Sequence, residues 1–465
     1  MTLPELKRVL SLRDVVLFYV VAIVGPRWIA SAAAAWPSSM VIWALACAGM
    51  FIPSAFAVLE LSSRYPEEGG LYLWTKKGFG EFPSFVTGWL YWASNLVYLP
   101  GLLYFAAGNI LYMGGARWLA HSADPVYFIV FSLIGLAVAA WVNIIGLDIG
   151  KHLNNIGAWA TWVPVALLVA MGGVAWWQFG AATSFEPRAM LPSWHLKDIA
   201  FWSTLAFAFG GLETASLMGG EIKDPRVTIP RAVVISGVII TAIYVLGTLA
   251  TLLALPADEA TGLQGIMQAI DRTAVRIGLG GVTPAAAFMI SLGSLGGVGA
   301  WLAACGRLPF VAGIDKALPA AFGRLHPRWG TPAFALVTQT IICALFVVMG
   351  QAGTTVRGAY GILVNMAIIT FFIPYAMMYL SYIRVQWLPA GPEVRRTPGG
   401  KWVAVALGAM GFTTVVVSIV LACLPPAGDP APVLAVVKIV GSSLVMITAG
   451  VILFFVGRRR AALTD

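Results

Sequence analysis

IAFWSTLAFAFGGLETASLMGGEIKDPRVTIPR, residues 199–231, is an apolar run that enters at Ile199 and meets two adjacent glycines, Gly210 and Gly211, where a membrane helix would be near the bilayer centre. Each glycine fixes more backbone entropy in a helix than alanine would, so the pair predicts an unwound turn. An unwound turn frees amide and carbonyl groups to bind something polar, which a membrane tolerates only inside protein or a cavity. Glu213 follows directly, and an ionisable group at that depth is costly enough to be a functional candidate.

Composition supports a membrane reading. The 465 residues are 59% hydrophobic and 11% charged, with a mean hydropathy of +0.86, whereas a soluble chain carries about 25% charged residues. Several runs exceed the ~20 residues that span the hydrocarbon as a helix. Twelve transmembrane helices are expected, at roughly 15–35, 40–62, 83–113, 124–147, 156–180, 198–218, 232–256, 284–307, 332–350, 359–385, 402–424 and 432–457. With short connections between them, the expected architecture is all-α and a single transmembrane domain over 1–465. The N-terminal MTLPELKRVLSLRD lacks a short apolar core followed by a small-residue cleavage site, so the first span is expected to stay as an anchor.

The net charge of +9 suggests nucleic acid until its distribution is considered. Of the 29 Lys and Arg residues, 21 fall on one side of the expected topology and six on the other, with Arg27 and Lys438 inside spans. Basicity here is therefore a topology signal that places both termini in the cytoplasm, with no nucleic-acid partner expected. Cys47, Cys305, Cys343 and Cys423 all fall within expected spans without metal-site or redox spacing and read as packing residues. His121, His152, His195 and His326 sit at loops or span ends and form no cluster, so neither metal nor cofactor is expected.

The first span is also interrupted, at Gly25, Pro26 and Arg27. Proline deletes a backbone donor and clashes with the preceding turn, so the helix should unwind or kink there. Breaks in spans one and six, five apart, point to a transporter built from inverted repeats with its site at the repeat interface. The five-plus-five division would be 15–180 and 198–385, with 402–457 supplying two further helices.

Four stretches carry a resemblance: ELSSRYPEEGGLYLWTKKGFG (60–80), FGGLETASLMGGEIKDPRVTIPRA (209–232), SLGSLGGVGAWLAACGRLPFVAGIDKALPAAFGRLHPRWGTP (291–332) and LVNMAIITFFIPYAMMYLSY (363–382). Together they resemble the amino acid, polyamine and organocation (APC) transporter superfamily. The resemblance implies twelve helices, a five-plus-five inverted repeat, alternating access, and an amino acid or related amine as substrate. It also implies that Asn95 and Tyr98 line the substrate path, although an aromatic-rich helix equally reads as packing. Phe207 falls where some relatives carry an aromatic gate, and cation–π attraction of ~0.5 to 2 kcal/mol could cover an ammonium there; core packing is the alternative. Val298 stands where a relative has a bulky aromatic, so a wider or more apolar pocket is expected, while Ser291 and Ser294 either face a sodium ion or substrate or simply pack. Leu71 to Lys77 reads as an amphipathic helix along the membrane face or as a solvated loop.

Two departures stand out. Some relatives carry a coupling lysine in the fifth span, where this chain has Thr161 or Trp162, which leaves protons, sodium and exchange all open. At the first break, relatives have a small-residue run whose amides hold the substrate carboxylate. Here Gly25 keeps its place, Pro26 removes a donor, and Arg27 replaces a glycine. Arg27 then either grips a carboxylate bidentately or is locked to Glu213 or to helix-end carbonyls. Glu213 either accepts hydrogen bonds from the freed amides of span one, pairs with Arg27, or carries a coupling proton.

Three function classes remain: a secondary transporter, a transporter-like sensor that binds without translocating, and a membrane enzyme, which would need clustered acid, base or metal ligands absent from the pattern. Both termini and the loops around Lys76, Arg226, Arg324 and Arg395 are expected on the cytoplasmic face. An impermeant thiol reagent applied to intact cells should fail to label cysteines placed in those loops, and efficient labelling of two or more would reverse the orientation.

Overall fold

The computed structural model describes residues 10–67, 69–145, 147–192, 196–256, 262–314, 318–319, 321–426 and 429–464. Over these residues the chain is helical, and its β-structure is confined to one isolated parallel bridge between Leu10 and Ile222. The long elements are α1 (Leu12–Ile23), α2 (Pro26–Ala33), α3 (Ser38–Arg64), α4 (Gly70–Phe79), α5 (Glu81–Ile110), α6 (Pro125–Ile145), α7 (Leu147–Phe179) and α8 (Leu196–Ala208). After a 3-10 segment, Thr214–Glu221, come α9 (Pro225–Ala254), α10 (Gly265–Arg276), α11 (Thr283–Ile314), α12 (Ala333–Gln351), α13 (Val356–Val385), α14 (Lys401–Ala422) and α15 (Pro432–Arg459). Glu68 and His195 lie outside the described residues, as do the side chains of Asp148, Lys151 and His152.

Ten helices among the described residues are long and apolar enough to cross a bilayer, and the pair α1–α2, bent by 44°, makes an eleventh if it is one crossing. Their outer faces invert the soluble pattern. On α6, Val126, Val130, Ile134, Val138 and Trp141 recur at helical spacing and are all exposed, a stripe that only hydrocarbon would cover favourably. The protein is a multi-pass membrane protein. Burial grades inward from that rim: the apolar window of α5 is 83% buried and that of α11 is 72%, against 28% for α6 and α15. α5 is thus the central post, packed against α11 and α13.

The sixth expected span, 198–218, is interrupted at the glycine pair. α8 stops at Ala208, Gly211 turns the chain at φ +121°, and the segment beyond the turn is 3-10 rather than α. The reason is local competition for carbonyls: the Thr214 hydroxyl donates to Gly211 O and the Ser216 hydroxyl to Glu213 O, both at 2.5 Å, offering the backbone an alternative to the α-helical ladder. At the first break Pro26 occupies the opening position of α2, where its missing N–H leaves no bond unmade. Leu71 to Lys77 lies within the helix α4, with Leu71, Trp74 and Thr75 buried, so the loop alternative is set aside. Glycines bring α7 and α11 together: a Cβ on Gly157 would sit 3.4 Å from Gly296 Cα, the close approach expected of small residues in membrane spans.

The end of α3 fastens the loop between α13 and α14. Glu60, buried, accepts from Gln386 Nε2 (2.9 Å), from Thr397 N (3.2 Å) and from Thr397 Oγ1 (3.0 Å), while Ser63 Oγ accepts from Arg395 N (3.0 Å). Removing the carboxylate strands buried donors. Glu60→Ala should therefore cost about 2 kcal/mol or more of stability, read as a lowered unfolding temperature in detergent, with Glu60→Gln recovering part of it. An unchanged midpoint in Glu60→Ala would show that the latch contributes nothing.

Candidate functional site

The two interrupted stretches meet at one side chain. Tyr244, on α9, lies fully buried, stacked on Trp43 at 4.8 Å with the rings 10° apart and edge-on to Phe209. Its hydroxyl accepts from Gly25 N (3.2 Å) and is within donating distance of Ile23 O (2.7 Å) and Ala208 O (3.1 Å), so it touches both breaks. Trp301 Nε1, from α11, donates to Ala22 O (3.1 Å) and caps another carbonyl at the end of α1. Backbone groups that helix would have satisfied are thus satisfied by aromatic side chains of neighbouring helices.

At the second break Gly211 N donates to Tyr375 Oη (2.7 Å), and the Tyr375 hydroxyl in turn donates to Glu213. Tyr91 Oη donates to Glu213 Oε1 at 2.5 Å, and Glu213 is 0% exposed. This corrects the expectation that Glu213 takes the freed amides of span one or pairs with Arg27. Its side-chain partners are two tyrosines, from α5 and α13, and no ion pair among the described residues includes it.

Two clefts open beside the breaks. The first is walled by Trp28, Phe207, Trp301 and Phe371, with Ser94 and Asn95 as polar lining. The second runs along Gly25, Arg27, Thr161 and Ser294. Ala22, Tyr98 and Trp301 line both. Phe207 packs edge-on against Trp28 (5.7 Å) and Phe371 (5.3 Å) and faces Tyr98 (6.3 Å), closing one wall as an aromatic lid.

Of the sequence candidates, Asn95, Tyr98, Phe207 and Gly210 line the first cleft, and Gly25, Arg27 and Tyr98 line the second. Gly211 supplies the turn, and Glu213 lies behind it. Val298 is fully buried and lines neither cleft; Gly297 and Trp301 line the second one instead. Asn95 Nδ2 donates to Tyr91 O (3.0 Å) and Asn365 Nδ2 to Leu424 O (2.9 Å). Ser291 and Ser294 give their protons to Ala106 O and Ile290 O, and Thr161 gives its proton to Gly157 O. Trp28, Trp301, Phe371, Tyr91, Tyr244 and Tyr375 are not singled out by sequence, being indistinguishable there from packing aromatics.

Tyr244→Phe keeps the stacked ring and deletes the hydroxyl that both breaks share. It should destabilise the protein by about 1 to 3 kcal/mol through the stranded Gly25 and Ile23 groups, measured by thermal unfolding in detergent. A Phe variant of parental stability would show that these groups find partners without it.

The chain has relatives among known proteins. The family model for "Amino acid permease" matches residues 10–456. An uncharacterised transporter of Legionella pneumophila is 26% identical over 434 residues, covering 91% of either chain. The Lactococcus lactis protein named "Probable agmatine/putrescine antiporter AguD" is 21% identical over 421 residues, covering 88% of this chain and 86% of that one. Among solved structures, that of MhsT in complex with L-phenylalanine superposes with a TM-score of 0.64 at 15% identity, covering 90% of this chain and 99% of the other, a likeness of fold. These relatives are named as transporters and not as enzymes. With the family model running nearly end to end, the chain belongs to the amino acid permease family of membrane transport proteins.

Proposed function

We propose that the chain is a secondary transporter that moves an amino acid or a related amine across the cell membrane by alternating access. The observation that carries this reading is the convergence of both broken stretches on Tyr244, beside two clefts that share Ala22, Tyr98 and Trp301. Discontinuous helices facing one another at mid-depth are the means by which transporters present backbone and side-chain groups to a substrate. In this reading α1–α2 is the first of twelve crossings and α8 with its 3-10 continuation is the sixth. Residues 15–180 and 198–385 form the two inverted halves, and both termini face the cytoplasm.

The relatives support the substrate class: one is named for agmatine and putrescine, and one was solved with L-phenylalanine. Gly25, Arg27, Asn95, Tyr98, Phe207 and Gly210 are the proposed contacts, with Gly211 as the hinge of the turn. Glu213 is the proposed coupling or gating residue. As a buried carboxylate held by two hydroxyls, it can bind and release a proton without a cation locking it. Sodium is the other candidate coupling ion.

Purified protein reconstituted in vesicles and challenged with labelled amino acids and amines should accumulate or exchange at least one of them. Binding without flux would make the protein a sensor. Once a substrate is found, folded Glu213→Gln should transport it about tenfold more slowly or worse and lose its pH dependence. Parental rate with unchanged pH dependence would remove Glu213 from the mechanism.

A further inference from the structure

Arg27 is 3% exposed, and no ion pair among the described residues includes it. Its guanidinium lies 4.3 Å from the Trp28 ring centre and 4.6 Å from that of Tyr98, with the Tyr360 hydroxyl beside it. Two of its nitrogens, Nε and Nη2, are buried without a hydrogen-bond partner. Those two nitrogens share one edge of the guanidinium plane, so their free N–H bonds run parallel, the spacing that the two oxygens of a carboxylate match.

Electrostatics point the same way. Guanidinium stays charged at any physiological pH, and a buried unpaired charge is costly. The two cation–π contacts with Trp28 and Tyr98 offset only part of that cost. Arg27 also occupies the first turn of the eight-residue α2, whose helix dipole directs partial positive charge to the same place. Glu213, the carboxylate expected to neutralise it, is held by Tyr91 and Tyr375 instead. Side chain and helix end therefore both present uncompensated positive charge to the second cleft.

We infer that Arg27 holds the carboxylate of the transported molecule side-on through Nε and Nη2, and that this contact makes the protein select acids over their decarboxylated amines. The body of the molecule continues past Tyr98 and Trp301, which line both clefts, into the aromatic walls of Trp28, Phe207 and Phe371. A diamine offers Arg27 only a second cation, so it gains nothing from the fork and suffers repulsion from it. The assignment rests on the transporter reading for the fate of the molecule, and on Arg27 alone for its capture.

The test titrates matched pairs against purified protein: L-phenylalanine and 2-phenylethylamine, L-arginine and agmatine, L-ornithine and putrescine, and the remaining amino acids with their amines. The acid of at least one pair should bind about ten- to hundredfold more tightly than its amine. Arg27→Gln should abolish that preference by weakening the acid alone, and Arg27→Lys, which keeps charge but not the fork, should fall between. Without ligand, Arg27→Gln should unfold at the parental temperature or above it, because it removes a buried unpaired charge. Preference for amines, no acid binding anywhere in the panel, equal losses for both members of a pair, or failure of Arg27→Gln to fold would each overturn the assignment. Flux separates the two claims: acid binding without transport would sink the transporter reading and leave the Arg27 contact standing, whereas transport of amines but not acids would do the reverse.

Discussion

Every polar backbone group released by a break inside a bilayer has to find another partner, because no water competes for it there. The Tyr244 hydroxyl reaches both breaks, accepting from Gly25 N and offering its one proton to Ile23 O or Ala208 O, and it depends on a stack: Trp43 lies flat on Tyr244 and is itself anchored through Nε1 to Thr248 Oγ1 at 3.0 Å. α3 and α9 thus hold the ends of α1 and α8 in register without touching either cleft. The aromatic content of the interior acts as a set of capping groups as well as packing volume.

Glu213 and Arg27, the ionisable groups beside the two breaks, are treated in opposite ways. Glu213 receives directed hydroxyl donors, which satisfy a carboxylate well whether or not it carries a proton. Arg27 receives ring faces, which attract a cation weakly, and the Tyr360 hydroxyl, and its Nε and Nη2 are left free. A direct pair would have neutralised both and fixed two helices to each other. Kept apart, one group remains free to change charge and the other to accept a visitor.

Both breaks were legible in the sequence because glycine and proline act on the backbone itself, and the depth of Glu213 and Arg27 followed from counting residues along an apolar run. Their surroundings were not. Tyr91 and Tyr375 lie 122 and 162 residues from Glu213, and in a chain where 12% of residues are aromatic nothing marks those two tyrosines. Opposite charges at similar depth invited the pairing of Arg27 with Glu213, an inference that hydropathy supports and packing overrules. Val298 shows a related limit: which residues of α11 meet a cleft is decided by packing, and Gly297 and Trp301 line one while Val298 does not. The loss of α-helix after Gly211 came from Thr214 and Ser216 hydroxyls turning to local carbonyls, a choice decided within hydrogen-bond distance rather than by composition.

The bridge between Leu10 and Ile222 has a mechanical meaning. Lys223 N donates to Leu10 O at 2.9 Å just ahead of the Ser11–Asp14 capping box that starts α1, and Ile222 closes the 3-10 segment beyond the second break. α1 and the 214–221 segment are therefore joined by main chain at Leu10 and Ile222, while the Tyr244 phenol joins the other end of α1 to the end of α8. A main-chain bond there ties the start of one interrupted stretch to the finish of the other. Whatever displaces α1 has to carry the 214–221 segment with it, unless the Leu10 bond is first exchanged for water.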